Sequence, residues 1–276
     1  VEGEKSLDSM VQVAAKKGDK MLEMRARKAL GRTYRESNQF IKAIECHRHE
    51  LALAQQLHDT IAMVQTLNNI GTNYRRMGVL DEAIDYHYRA LHLAEAFSLQ
   101  TDPTAYKNRL VSLNGIGNIC LTLSDTETAD SVFRAALAGE RFLGSHLGQA
   151  INYANIGSLF EHSNRTDSAW TYYRLSMEQN KLAHSDLGIS LCYTHFGRLY
   201  EKAGKTAQAI AEYLKAYDIM ASSDDQWHAM EPCLALAQIY VKQGNYSDAK
   251  HYLAIADGVA HRLKSLEHQS QVAWLY

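Results

Sequence analysis

No apolar run in this 276-residue sequence approaches the ~18 residues of a membrane-spanning helix, so nothing points to bilayer insertion by this segment. Charge of one sign is missing too. The 29 Lys and Arg against 31 Asp and Glu leave a formal net charge of −2, without the basic excess of a general nucleic-acid binder. The four cysteines, Cys46, Cys120, Cys192 and Cys233, show no CxxC spacing. They fall at helix positions that mostly face the core, where a free thiol behaves as a small hydrophobe, and they fix no redox compartment. Nucleophile motifs, phosphate loops and metalloprotease patterns are absent, so no catalytic or cofactor-binding residue is nominated. Proline is reduced to Pro103 and Pro232.

What the chain has is a recurring pair of small residues. Gly31, Gly71, Gly117, Gly157, Gly197 and Ala237 are each followed twelve positions later by an alanine: Ala43, Ala83, Ala129, Ala169, Ala209 and Ala249. Successive members of the first set lie 40, 46, 40, 40 and 40 residues apart, and self-similarity at a fixed period of this size marks a stacked-repeat protein. Glycine inside a helix costs about 1 kcal/mol relative to alanine, so five in one phase imply a packing reason. Two helices approach closely only where side chains at the crossing are small, and the pattern predicts glycine facing alanine. Apolar residues keep the phase, with Leu30, Ile70, Ile116, Ile156, Phe196 and Leu236 just before the small residue. Four positions past the alanine come His47, His87, Phe133, Tyr173, Tyr213 and Leu253. This i, i+4 spacing predicts helices throughout.

On these residues the chain resembles the tetratricopeptide repeat family over nearly its whole length. The stretches from Leu67 to Leu91 and from Tyr193 to Tyr217 carry the likeness, and the family's turn glycine appears as Gly78, Gly204 and Gly244, replaced by Asn38, Ser124 and Asn164 elsewhere. The period of 40 exceeds the family's usual ~34 and is similar to the long-repeat branch, which includes kinesin light chains, polarity adaptors and peptide-sensing bacterial regulators. The resemblance implies an all-α, right-handed α-solenoid of helix-turn-helix units in one domain, 1–276. Its parts are a half-repeat at 1–18, repeats at about 19–58, 59–100, 101–144, 145–184, 185–224 and 225–264, and the start of a further helix at 265–276. Helix starts are expected near Asp19, Asp59, Asp102, Ser145, Asp186 and Asp225, and Asp81 reads as a cap for the second helix of its repeat. The added residues of the 46-residue interval fall around Ser98 to Tyr106 and read as a longer loop or helical extension, with Pro103 in the first turn after Asp102. The chain opens at Val1 and stops one residue short of a seventh small position, which predicts a piece of a longer protein.

In such a solenoid the first helix of each repeat lines a concave groove. The groove positions of repeat one are Arg25, Lys28, Arg32 and Arg35, a wholly basic stripe that Arg75 and Arg76 extend. Arginine forks bind carboxylates bidentately, so the stripe predicts an anion or acidic-peptide site; the plainer alternative is a solvated face. Amides follow at Asn68, Asn69, Asn114 and Asn118, each offering a donor and an acceptor to an extended peptide backbone. The clamp by which some members of the family hold a C-terminal carboxylate is not reproduced. Lys28 and Asn69 match it, but Arg32 stands where an Asn is needed, and Val111 and Gly115 where two basic residues are. Later repeats put Glu161, Arg198, Glu201 and Glu231 at groove positions.

Cys46, His47, His49 and Glu50 are close enough on one helix to suggest a metal, but His47 holds the buried aromatic position, so packing accounts for it and no metal site is assigned. Glu161 with His162, and His195 with Glu201, pair on paper, as any amphipathic helix array produces by chance. The expected function is non-catalytic: a protein- or peptide-binding module with Arg25, Lys28, Arg32, Arg35, Asn68, Asn69, Arg75, Asn114 and Asn118 as groove contacts. It would serve as the ligand- or partner-sensing segment of a bacterial signal-transduction or transcription regulator, or alternatively as a structural adaptor. Neither nucleic acid, membrane nor cofactor is expected as a partner of this segment. Its compartment would be the periplasm in a membrane sensor and the cytoplasm otherwise.

Overall fold

The computed structural model describes residues 2–95, 102–223, 226–262 and 266–275, and the regular structure among them is helical. Contacts gather the chain into two compact units, residues 1–143 and 144–276. The first unit holds α1 (Glu2–Lys17), α2 (Lys20–Glu36), α3 (Phe40–Gln56), α4 (Thr60–Arg76), α5 (Leu80–Ala94), α6 (Pro103–Thr122) and α7 (Thr126–Phe142). The second holds α8 (His146–His162), α9 (Thr166–Leu182), α10 (Asp186–Lys202), α11 (Thr206–Ala221), a 3-10 helix (Gln226–Ala229), α12 (Met230–Lys242), α13 (Tyr246–Arg262) and α14 (Leu266–Leu275). Helices pack in consecutive pairs, α2 on α3, α4 on α5 and α6 on α7 in the first unit, α8 on α9, α10 on α11 and α12 on α13 in the second.

Local chemistry sets the helix ends. Asp19, Asp59, Asp102, Ser145 and Ser185 precede α2, α4, α6, α8 and α10, and each side chain accepts a backbone N–H of the first turn, satisfying a donor that the helix leaves unpaired. Pro103 opens α6 behind the Asp102 cap, as expected. For α10 the cap is Ser185, one residue before the expected Asp186. Asp81 does not cap α5: Val79 holds that position with no side-chain bond, and Asp81 lies inside the first turn, where its charge meets the positive end of the helix dipole. Ser98 to Thr101 and Asp225 lie outside the described residues.

The inner turns share one geometry. Asn38, Gly78, Ser124, Asn164, Gly204 and Gly244 have φ of 56, 77, 63, 55, 71 and 73°. The following residue returns its N–H to a carbonyl five positions back, as in Gln39 to Tyr34 and Arg165 to Phe160, both 2.8 Å, which closes the preceding helix with a Schellman turn. An L-residue strains in this left-handed region and glycine does not. Ser124→Gly should therefore raise stability by about 0.5–1 kcal/mol, read as a higher urea midpoint; a lower midpoint would contradict this account of the turn.

The small residues inside the helices meet a ring first, with the paired alanine beside it at Gly71, where an added Cβ would lie 3.0 Å from the Ala83 carbonyl; the sequence expectation named the alanine and missed the ring. A Cβ on Gly31 would lie 2.6 Å from the His47 ring, one on Gly157 2.6 Å from Tyr173, and one on Gly197 2.6 Å from Tyr213; Gly71 faces His87 and Gly117 faces Phe133 in the same way. The ring comes from the residue sixteen positions on, one helical turn past the buried alanine. Where the small residue is Ala237, its counterpart is Leu253, and the two share one core cluster. Glycine occurs where an aromatic or imidazole ring must be admitted, and alanine where the ring is absent.

Candidate functional site

In the first unit α2, α4 and α6 present one polar face. Arg25, Lys28 and Arg32 are exposed, while Arg35, Asn69, Arg75, Asn114 and Asn118 are half-buried. Lys28 bonds Gln65, and Arg35 Nη1 donates to Asn69 Oδ1 at 3.2 Å, so both contacts tie α2 to α4. Arg32 pairs with Glu36 of its own helix at 2.9 Å, both largely exposed. Asn114 and Asn118 donate to the carbonyls of Leu110 and Asn114, at 3.2 and 2.9 Å. At one end of the face lies a cleft of about 290 Å³ walled by Met21, Arg25, Lys28, Glu50, Ile61 and Gln65.

Asn68 behaves differently from its neighbours. It is only 4 % exposed, and its amide nitrogen donates to Ser112 Oγ at 2.9 Å and to the Asn108 carbonyl at 3.2 Å. Its oxygen accepts from His87 Nδ1 at 2.9 Å. The His87 ring lies against Gly71 and Gly115, and burial, then the Arg75 charge, holds its pKa down at about 4, so the imidazole is neutral at pH 7. Asn68 thus fastens α4, α5 and α6 together from below the face.

The charges on this face crowd one another. Burial lowers the pKa of Arg35, and Arg76 and Arg32 lower it further; burial and then Arg76 do the same to Arg75. Neither Arg35 nor Arg75 forms an ion pair with a carboxylate among the described residues.

The corresponding positions of the second unit neutralise each other, a pairing that repeat phase alone did not reveal. Glu161, 7 % exposed, receives Arg198 at 3.2 Å, Lys202 at 3.0 Å and the Tyr173 hydroxyl at 2.7 Å. Arg198 also reaches Glu231 at 2.8 Å, and Lys242 reaches Glu201 at 3.5 Å. Burial pushes the Glu161 carboxyl up, but Arg198, Tyr173 and Lys202 outweigh it and hold the pKa at about 2. The clue in the sequence is that the place four after the glycine holds an acid in both Glu161 and Glu201, with Arg198 and Lys202 one and five places after Gly197, whereas the same place after Gly31 and Gly71 holds Arg35 and Arg75.

The pairs drawn on paper for catalysis do not form. His195 stacks on Tyr173 with centroids 4.3 Å apart and accepts from Arg198 at 2.7 Å, while Glu201 receives Tyr213. His162 bonds the Ser158 carbonyl of its own helix. Among the described residues no group of three metal-ligating side chains comes together; His47 instead bonds Glu50 at 2.7 Å, both 1 % exposed. All four cysteines are buried and free, and burial pushes the Cys46 thiol up to about 11 and Cys233 up to about 12. No described helix is long and apolar enough to cross a membrane.

Models of the tetratricopeptide repeat match residues 26–59, 64–96, and 191–220 with 231–254. A comparison with curated protein sequences finds no match. Among solved structures, the chain is similar to the Rap conjugation gene regulator of plasmid pLS20 in complex with the Phr* peptide, at 15 % identity and a TM-score of 0.72, over 93 % of this chain and 74 % of that one. It is also similar to a Rap protein complexed with competence and sporulation factor, at 18 % identity and 0.69, over 92 % and 73 %. BtubC from P. vanneervenii is a third, at 18 % identity and 0.57, over 84 % and 90 %.

Proposed function

We propose, from the premise that this chain is a tetratricopeptide-repeat protein, that it is a non-catalytic module binding a peptide or an extended protein segment on the α2, α4 and α6 face. The observation that carries this reading is the row of half-buried amides, Asn69, Asn114 and Asn118, on α4 and α6, beside the Lys28–Gln65 and Arg35–Asn69 contacts that join α2 to α4. An extended backbone presents N–H and C=O groups at a regular rise, and side-chain amides answer both. The likeness to a conjugation gene regulator in complex with a peptide and to a Rap protein complexed with a factor supports the finer reading, that this is the sensing segment of a bacterial signal-transduction or transcription regulator.

Panning an unbiased random-peptide library against the chain tests the binding role. Binders are expected, and they should slow hydrogen exchange in α2, α4 and α6. No binder at all, or protection confined to other helices, would overturn the assignment. Reading the coding sequence on either side tests the regulator: an output domain is expected, whereas only further repeats and a polar cap would turn the reading to an adaptor.

A further inference from the structure

Glu50 departs from the pattern of its own repeat position. Seven places after the paired alanine, the other repeats hold Ala90, Ala136, Ser176, Ala216 and Ala256, each fully buried. In the first repeat the same place carries a carboxylate that is 1 % exposed, although packing asks only for a methyl or hydroxymethyl group there. Its one hydrogen bond among the described residues is to His47 Nδ1 at 2.7 Å, and His47 turns its other ring nitrogen toward Gly31. A carboxylate offers about four acceptor sites, so most of its bonding capacity is unspent. Glu50 lines the cleft of about 290 Å³ between α2 and α4. We infer that this cleft holds the α-ammonium group at the N-terminus of the bound segment, with Glu50 as its anchor. This rests on the peptide-binding reading above and specifies which end of the peptide enters the cleft.

Size, charge and continuity favour this occupant. The cleft is smaller than the ~300–1,000 Å³ of sites that enclose a whole small-molecule ligand, so it has room for one residue of a longer segment. Met21, Met24 and Ile61 in its walls suit the apolar part of that residue. A carboxylate withdrawn from water is best answered by a charged donor, and an ammonium supplies three. Asp59 adds a second acid to the lining, with one oxygen already accepting the Ala62 N–H at 2.9 Å. A peptide C-terminus would therefore meet two like charges here and be repelled. Arg25 and Lys28 of the same lining are exposed, and Lys28 bonds Gln65; their donors at the mouth answer the carbonyls of the chain as it leaves. Asn69 follows Gln65 by one turn of α4, roughly 6 Å at 1.5 Å per residue. A segment that begins in the cleft thus runs directly onto the amides of the binding face.

The test takes the tightest sequence from panning of peptides displayed with free N-termini, synthesised with a dye at its C-terminus and titrated with the whole chain by fluorescence polarisation. The free amine is compared with the N-acetyl peptide and with the des-amino analogue, which removes the ammonium without adding bulk. The free amine should bind about tenfold more tightly than either, or better. Glu50→Gln should make the forms nearly equal, and Glu127→Gln, an exposed acid in the first turn of α7, should keep the preference. If Glu50→Gln loses its helical signal, Asp59→Asn, which preserves the cap and is expected to weaken the preference, decides in its place. Equal affinity of the forms for the parent chain, or full preference in the deciding variant, would overturn the proposal. So would displacement of the peptide by a millimolar mixture of free amino acids, which would make a free amino acid the source of the ammonium. The outcomes separate from those of the panning: binding that survives acetylation sinks the anchor and leaves peptide recognition standing, while no binder sinks both.

Discussion

Gly117→Ala should destabilise the protein by about 1–3 kcal/mol, although alanine is the better helix former by about 1 kcal/mol. The added methyl group would run into the Phe133 ring, which is fully buried and has no room to retreat. Overpacking of this kind is met by shifts of side chains and backbone, and it outweighs the gain in propensity. The sixth repeat shows how the conflict resolves, because there Ala237 packs with Leu253. Phe133→Leu alone should also destabilise, by leaving a cavity, but combined with Gly117→Ala it should restore part of what each change loses. A double-mutant cycle by urea unfolding is expected to return a favourable coupling of at least about 1 kcal/mol. Strict additivity, or a stabilised single alanine variant, would show that the ring does not fill the notch.

Glu161→Ala should cost about 2–4 kcal/mol. It leaves the Tyr173 hydroxyl without its acceptor and Arg198 and Lys202 without their shared carboxylate. Arg198 keeps 32 % of its side chain exposed, so water softens the loss and the upper figures for buried pairs are not reached. The same carboxylate makes stability depend on pH. Its folded pKa of about 2 lies below the ordinary value of 4.5, so its stabilisation is fully present above pH 4.5 and is lost as the pH falls through 2. The shift corresponds to roughly 3 kcal/mol. The stability difference between the parent chain and Glu161→Gln should be largest above pH 5 and should shrink steadily toward pH 2. Parallel pH profiles for the two would refute the coupling.

The repeat architecture was legible because it rests on properties that one residue declares by itself. A glycine inside a helix, a residue that tolerates positive φ at Asn38 or Gly78, and an Asp before Pro103 each carry a backbone signal without help from distant partners. Misreadings arose where the outcome depends on which side chain wins a shared space. Spacing placed Ala43 and Ala83 near the small residues, but a longer side chain one turn on reaches the notch first. Asp81 has the chemistry of a cap, yet capping requires the extended backbone that the turn gives to Val79. Asn68 and Asn69 are adjacent and identical in type, and only the helix's rotation about its axis sends one into the core and the other to the face. The ion pairs around Glu161 are decided by side-chain reach between helices, which a linear pattern of charges does not measure.

The ring-in-notch contact also bears on how the chain reaches its fold. Each ring meets its glycine across only sixteen residues, so the defining core contact of a repeat closes a short loop at small entropic cost. Folding dominated by such near-sequence contacts is fast. A helix pair can therefore form as an early cooperative kernel without waiting for distant segments, and refolding should begin at whichever pair assembles first and spread to its neighbours.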